Sequence, residues 1–250
     1  MSPIQQMLLG VGAVATKTYM DDVFSTFLWK GNGSNSATRT MANGIDLAGE
    51  GGMVWIANRT TANEDPKIID TVRGNATVDG VANIAPYYVL PSSNAAQGDR
   101  NWQWTYLNNG FSFKQDYGDI NGNNEDYVSW SFRKATGFFD VVTWTGNGSG
   151  PRTISHNLGS VPGLIMIKRL NGSGDWNVFH SSLDVRGDAY LRLNGTNAKS
   201  YNSAYFGGVF QTTDKPTATS FKIGTSSDVN GSGNTYVAYL FAGGESTAAT

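Results

Sequence analysis

The 250-residue chain has no cysteine, two histidines (His156 and His180) and only 15% charged side chains. Without cysteine there is no disulfide scaffold, no thiol nucleophile and no cysteine-based zinc or iron–sulfur site. Two histidines leave little material for a His-rich metal site or for several His-based catalytic centres. Charge is scarce and nearly balanced, 18 Lys and Arg against 20 Asp and Glu, with no basic cluster. That argues against nucleic acid or an anionic membrane as the main partner. One apolar stretch, Met7 to Ala15, has the length of a signal-peptide core. The residues before it carry no Lys or Arg, and at about nine residues it is far too short to span a bilayer. What is plentiful is glycine, with 31 residues, and aromatic surface, with 12 Phe, 11 Tyr and 7 Trp. So much ring surface to bury speaks against disorder and for a turn-rich β protein.

Residues 1–23 read as a short apolar arm whose docking side chains are Met7, Leu8, Leu9, Val11 and Val14. Such an arm either inserts into another subunit or packs onto its own domain.

The body of the chain is written twice. Leu28-Trp-Lys-Gly-Asn-Gly-Ser34 returns as Thr143-Trp-Thr-Gly-Asn-Gly-Ser149, and Arg39-Thr-Met-Ala-Asn-Gly44 as Arg152-Thr-Ile-Ser-His-Asn157. Gly52-Met-Val-Trp-Ile56 matches Gly163-Leu-Ile-Met-Ile167, and Val72-Arg-Gly74 matches Val185-Arg-Gly187. Asp119-Ile-Asn-Gly122 followed by Tyr127–Phe132 matches Asp228-Val-Asn-Gly231 followed by Tyr236–Phe241. Five collinear matches at a near-constant offset indicate a tandem duplication, with copies at 24–136 and 137–243 and a polar small-residue linker at 244–250.

Each copy reads as strands. Tyr127–Phe132 and Tyr236–Phe241 alternate with period two, the signature of a half-buried strand. Gly163–Ile167 is a continuous apolar run that suits a strand covered on both faces. Asp188–Leu193 alternates and ends in Asn194-Gly195, a strong hairpin signal. Asn-Gly pairs recur at strand-length intervals. The expected fold is all-β: two tandem antiparallel, jelly-roll-like β-sandwiches behind the N-terminal arm.

Few residues recommend themselves for chemistry. The Asp119-x-Asn121-Gly122 and Asp228-x-Asn230-Gly231 loops could offer oxygens to calcium, but neither has the distal Glu of an EF-hand. A Gly/Asn turn with local Asp capping is the preferred reading. Trp102, Trp104 and Tyr106 alternate, so their rings share a face that could stack on sugars. Core or subunit packing is preferred there as well. Ser181 and Ser182 beside His180 make no triad, and no phosphate loop is present. No cofactor and no enzymatic activity are expected.

The segment Gly137–Gly148, with Thr153–Gly159, Val161–Arg169 and Asp175-Trp176, resembles a domain recurring in tailed bacteriophages. It is most similar in kind to marine and cyanobacterial phage tail-fibre-like and other virion structural proteins. Asn43–Ile56 and the leader Met1 to Phe24 resemble the same proteins. The resemblance implies a virion structural protein made in the host cytoplasm, with other virion proteins as partners and a homotrimer as its assembly. It implies no membrane insertion, and it brings no catalytic residue with it. Binding of host-surface polysaccharide is the alternative, as is a capsid decoration protein.

Overall fold

The computed structural model describes residues 18–62, 64–78, 81–99, 102–114, 119–183, 188–206 and 215–244, with backbone alone at 77–78 and 81–84. These residues form an all-β structure in which every strand pairing is antiparallel. After the one-turn helix α1 (Met20–Val23), the first half carries β1 (Phe24–Lys30), β2 (Arg39–Ala42), β3 (Gly52–Asn58), β4 (Lys67–Asp70), β5 (Asn75–Val78), β6 (Val81–Val89), β7 (Gly98–Asp99), β8 (Gln103–Leu107), β9 (Gly110–Lys114) and β10 (Asp126–Arg133). The second half carries β11 (Phe139–Thr145), β12 (Arg152–Ser155), β13 (Pro162–Arg169), β14 (Asn177–His180), β15 (Ala189–Arg192), β16 (Ser200–Tyr201), β17 (Ser220–Ile223), the one-turn α2 (Ser227–Asn230) and β18 (Thr235–Ala242).

The first half forms a large sheet, β1-β10-β3-β4-β6-β5 with β7 on β6, and a small one, β2-β9-β8. The second half forms a large sheet, β11-β18-β13-β14-β15-β16, and a small one, β12-β17. Side chains alternate between faces along each strand, so a residue's parity decides which core it enters. Val54, Ile56 and Ile69 turn toward the small sheet and meet Met41, Trp104, Phe111 and Phe113. Ile165, Ile167, Ala238 and Leu240 do the same in the second half, against Ile154, Phe221 and Ile223. The residues of opposite parity, Met53, Ile68, Met166, Val237 and Tyr239, form a third core between the two large sheets. The result is four layers with three apolar seams.

This stacking corrects the half-buried reading of Tyr236–Phe241. Residues 236–240 are all buried, because the face a lone sandwich would expose is covered by the other large sheet. The continuous run Gly163–Ile167 does lie in a strand covered on both faces. Asn194-Gly195 does not form a tight hairpin: β15 ends at Arg192, and its partner β16 starts only at Ser200. The Asn194 side chain instead accepts from the Trp176 N–H at 2.9 Å and donates to Asp175 at 2.8 Å.

Only residues 134–138 connect β10 to β11, so the chain passes from one large sheet to the other in a tight arch. Phe132, Phe139 and Phe241 pack at that corner, with ring centroids 4.9–5.7 Å apart, and Phe24 lies 4.9 Å from Phe132. The buried Asp140 fixes the arch by accepting from Lys134 at 3.0 Å and from the Asn157 N–H at 2.7 Å.

Candidate functional site

Within the largely apolar seam between the large sheets lies a buried polar network. Asp70 ends β4, and its carboxylate accepts from the backbone of Val72 and Arg73 at 3.0 and 2.9 Å. It also takes the Arg73 Nε–H and, from the second half, the Tyr239 hydroxyl at 2.7 Å. Arg73 donates in turn to the Ile68 carbonyl and to the Tyr239 oxygen, both at 3.0 Å. Tyr106 closes the group from the small sheet, its hydroxyl donating to the Asp70 carbonyl at 2.7 Å. Burial disfavours the Arg73 charge, but Asp70 and Tyr239 more than offset this and hold its pKa above the ordinary value. Burial pushes the phenols of Tyr239 and Tyr106 well above theirs. Every group here is bonded to another, so the network acts as a clamp.

A second crossing lies along the same seam. Lys168 is fully buried, and its ammonium donates to the carbonyls of Gly174 at 2.6 Å and of Asn94, in the first half, at 3.0 Å. Burial lowers its pKa to about 8. The Trp176 indole N–H reaches the Leu90 carbonyl at 2.8 Å. Eleven buried apolar residues also line this seam. Since burying one large side chain is worth about 1.5–3 kcal/mol, apolar contact supplies most of the adhesion and the polar crossings fix the register.

The Asp-x-Asn-Gly loops work as clips. Asn121 accepts from the Asn32 N–H at 3.1 Å and donates to the Ser34 carbonyl at 3.2 Å. Asn230 accepts from the Asn147 N–H at 3.1 Å and donates to the Ser149 carbonyl at 2.6 Å. Beside each clip a tryptophan hangs from the loop: Trp29 Nε1 donates to the Ile120 carbonyl at 3.0 Å and Trp144 Nε1 to the Val229 carbonyl at 2.9 Å. Each of these rings stacks on a tyrosine, Trp29 on Tyr127 and Trp144 on Tyr236, both at 5.4 Å. Gly31 and Gly146 are required here, because a Cβ would lie 1.9 and 2.2 Å from the carbonyl oxygens of Gly122 and Gly231. The side chains of both loops are thus engaged within the protein. The asparagine side chains bond the backbone, Asp119 pairs with Lys67 at 3.3 Å, and Asp228 sits 3.8 Å from Arg192. Among the described residues no group of three or more His, Asp or Glu could hold a metal ion. Near Asp119, burial and that neighbouring carboxylate raise the pKa of Glu64.

The three alternating rings weighed for sugar stacking lie largely inside the first half. Trp102 and Trp104 are 0% and 2% exposed, in the core of the first half, where Trp104 stacks on Phe111 at 4.7 Å and Trp102 on Tyr88 at 6.0 Å. Tyr106 is half-buried, with its hydroxyl committed to Asp70. An open groove of about 580 Å³ runs past Tyr106, lined by Glu50, Thr71, Asn75, Thr105 and Lys134 among others.

His156 is buried against Phe221, accepts from the Leu158 N–H at 3.2 Å, and has its pKa lowered by burial. His180 accepts from the Ser182 backbone N–H at 3.1 Å, a local turn contact. Met7, Leu8, Leu9, Val11 and Val14 lie outside the described residues, as do Val185–Gly187 and 245–250. Two features escaped the sequence reading. One is the Asp70–Arg73–Tyr239 clamp, of which Val72-Arg73-Gly74 was noticed only as a repeat match. The other is Leu28 of β1, 58% exposed on the face that also carries the half-buried edge-to-face pair Trp55–Trp130.

Fold and seam together define an all-β, multilayer protein whose buried polar groups serve to lock sheets and loops. The chain belongs to the family described as a domain of unknown function, DUF7483, which matches residues 20–247 and so covers both halves as one unit. No curated protein and no solved structure matches it. No helix among the described residues is long and apolar enough to cross a membrane.

Proposed function

We propose that this chain is a structural subunit of a tailed-phage particle, a tail fibre or tail appendage protein. In this reading it is a duplicated β-sandwich, copies 24–136 and 137–243, stacked back to back and assembled as a homotrimer. The observation that carries it is what the resemblance motifs do. Trp144, Asn147, Gly148 and Trp176 close loops or bridge sheets, as befits a scaffold. The duplication is supported by paired geometry: Met41↔Phe111 and Arg39↔Phe113 in one small sheet, Ile154↔Phe221 and Arg152↔Ile223 in the other. Trp29↔Tyr127 and Trp144↔Tyr236 pair likewise in the large sheets. Mass spectrometry of gradient-purified particles, with antibody labelling in electron micrographs, tests the reading. Stoichiometric presence and label on the tail are expected; absence from particles overturns it. Sedimentation of the purified chain tests the trimer.

A second reading, binding of host-surface polysaccharide, is favoured by the groove beside Tyr106, whose Thr71, Asn75, Thr105, Glu50 and Lys134 suit a polyhydroxylated ligand. Glycan-array binding that Thr105→Arg abolishes with the fold intact is the expected result; silence across host polysaccharides removes it.

A further inference from the structure

Lys67 opens β4 and is 4% exposed, with its register set by Ile56 of β3. Its ammonium lies 3.3 Å from the Asp119 carboxylate, and the two side chains are only 5% and 10% exposed. Neighbours hold both ends: Ile68 and Ile120 are fully buried, and the Ile120 carbonyl accepts from the Trp29 indole N–H at 3.0 Å. The Lys67 ammonium also donates to the Asp65 carbonyl at 3.1 Å, and the centre of the fully buried Trp102 ring is 6.0 Å from it. A second carboxyl group, Glu64, stands against Asp119. Burial first, then the Asp119 charge and a hydrogen bond between the two carboxyl groups, raise the Glu64 pKa; Glu125 adds to the rise and Lys67 opposes it. Glu64 is thereby biased toward holding a proton beside the pair. Taking two charges out of water is costly, and passing a proton from the ammonium to the carboxylate removes both. What remains is an amine in contact with a carboxylic acid, held by the fold in one geometry. Such confinement turns a bimolecular condensation into an internal step, worth effective concentrations of about 10⁵–10⁸ M.

We propose that Lys67 and Asp119 condense to an internal amide, with Glu64 as the acid–base residue. The Nζ lone pair attacks Asp119 Cγ and the C–N bond forms. Glu64 delivers its proton to the departing hydroxyl, the C–O bond breaks and one water leaves. Glu64 then takes a proton back from the nitrogen. In sum, ammonium and carboxylate become amide and water, and no other reactant is needed. The bond ties the start of β4 to the loop that leads into β10, 52 residues further on. This inference does not depend on the phage reading.

Intact mass spectrometry of the denatured full chain, followed by tryptic mapping, tests it. Expected are a mass lower by one water and a branched peptide joining residues 60–73 to residues 115–133, since trypsin does not cut at an acylated Lys67. Lys67→Arg and Asp119→Ala are expected to keep the full sequence mass. Glu64→Gln, sampled over time after cell-free synthesis, is expected to lose water about a hundredfold more slowly than the wild type. The wild-type mass reads the bond directly, whether or not a variant folds. A wild-type chain at the full sequence mass overturns the proposal. So does a water loss that maps to Asp79-Gly80, where the side chain can close on its own backbone, or a Glu64→Gln chain that cross-links as fast as the wild type.

Discussion

The Tyr239 hydroxyl, on β18, donates to the Asp70 carboxylate, on β4, across the seam between the two large sheets. The bond is 169 residues long in sequence and 2.7 Å long in space. Removing the hydroxyl in Tyr239→Phe leaves Asp70 its Arg73 and backbone partners, so a loss of about 1–2 kcal/mol is expected. Asp70→Ala strands the buried Arg73 charge and should cost about 3–5 kcal/mol. Urea unfolding of both variants checks the order, and an equal cost for the two would contradict the clamp.

Lys168 makes stability depend on pH with a definite sign. Its folded pKa of about 8 lies below the ordinary 10.5, so between those values the unfolded chain holds a proton that the folded chain does not. Stability from this group therefore rises as pH climbs from 8 toward 10.5, by at most roughly 3 kcal/mol, and is at its lowest below pH 8. Above pH 10 the raised phenols of Tyr106 and Tyr239 act the other way, because the unfolded chain loses those protons first. Lys168→Met should flatten the rise between 8 and 10 when both proteins are melted across that range.

The two clips should respond alike. Asn121→Ala and Asn230→Ala each remove a buried amide that ties two loops together, and each should cost about 1–3 kcal/mol. Thermal melts with millimolar calcium or with chelator should coincide, since the Asn121 and Asn230 carbonyl oxygens accept from backbone amides and Asp119 pairs with Lys67.

Gly146→Ala places a Cβ 2.2 Å from the Gly231 carbonyl oxygen, whereas Gly44→Ala meets nothing within 4 Å. Gly44 has φ +85°, so its replacement costs only local strain, about 1 kcal/mol. A steep loss of soluble protein is expected for Gly146→Ala and little change for Gly44→Ala, measured by expression yield and melting temperature.

Trp104→Ala should destabilise by about 3–5 kcal/mol, as expected for a large ring removed from a packed core. Loss of sugar binding in that variant would report damage to the fold, which is why Thr105→Arg is the better probe of the groove.

The all-β class was legible in the sequence, as were the short motifs that hold Trp29, Trp144, Asn121 and Asn230. Their task was not. An Asn-Gly pair reads as a turn, and only the structure turns the Asn121 side chain inward to a loop 89 residues away. The stacking of the large sheets was hidden for a related reason. Alternation along Tyr236–Phe241 marks two faces but does not say what covers the second. Nothing local in the sequence marks Asp70 and Arg73, since the partner that defines them, Tyr239, comes from the far end of the chain.

The corner built from Phe24, Phe132, Phe139 and Phe241 has a mechanical consequence. It brings the start of β1 and the end of β18 to the same edge of the molecule. A pull applied between those two points would open β1 from β10 at Phe24–Phe132, and β18 from both β11 and β13 at Phe241, one bond at a time. Loaded this way the body unzips at low force. A load carried between Phe24 on β1 and Asp126 at the opposite end of β10 would instead shear the whole β1–β10 ladder at once and meet far more resistance.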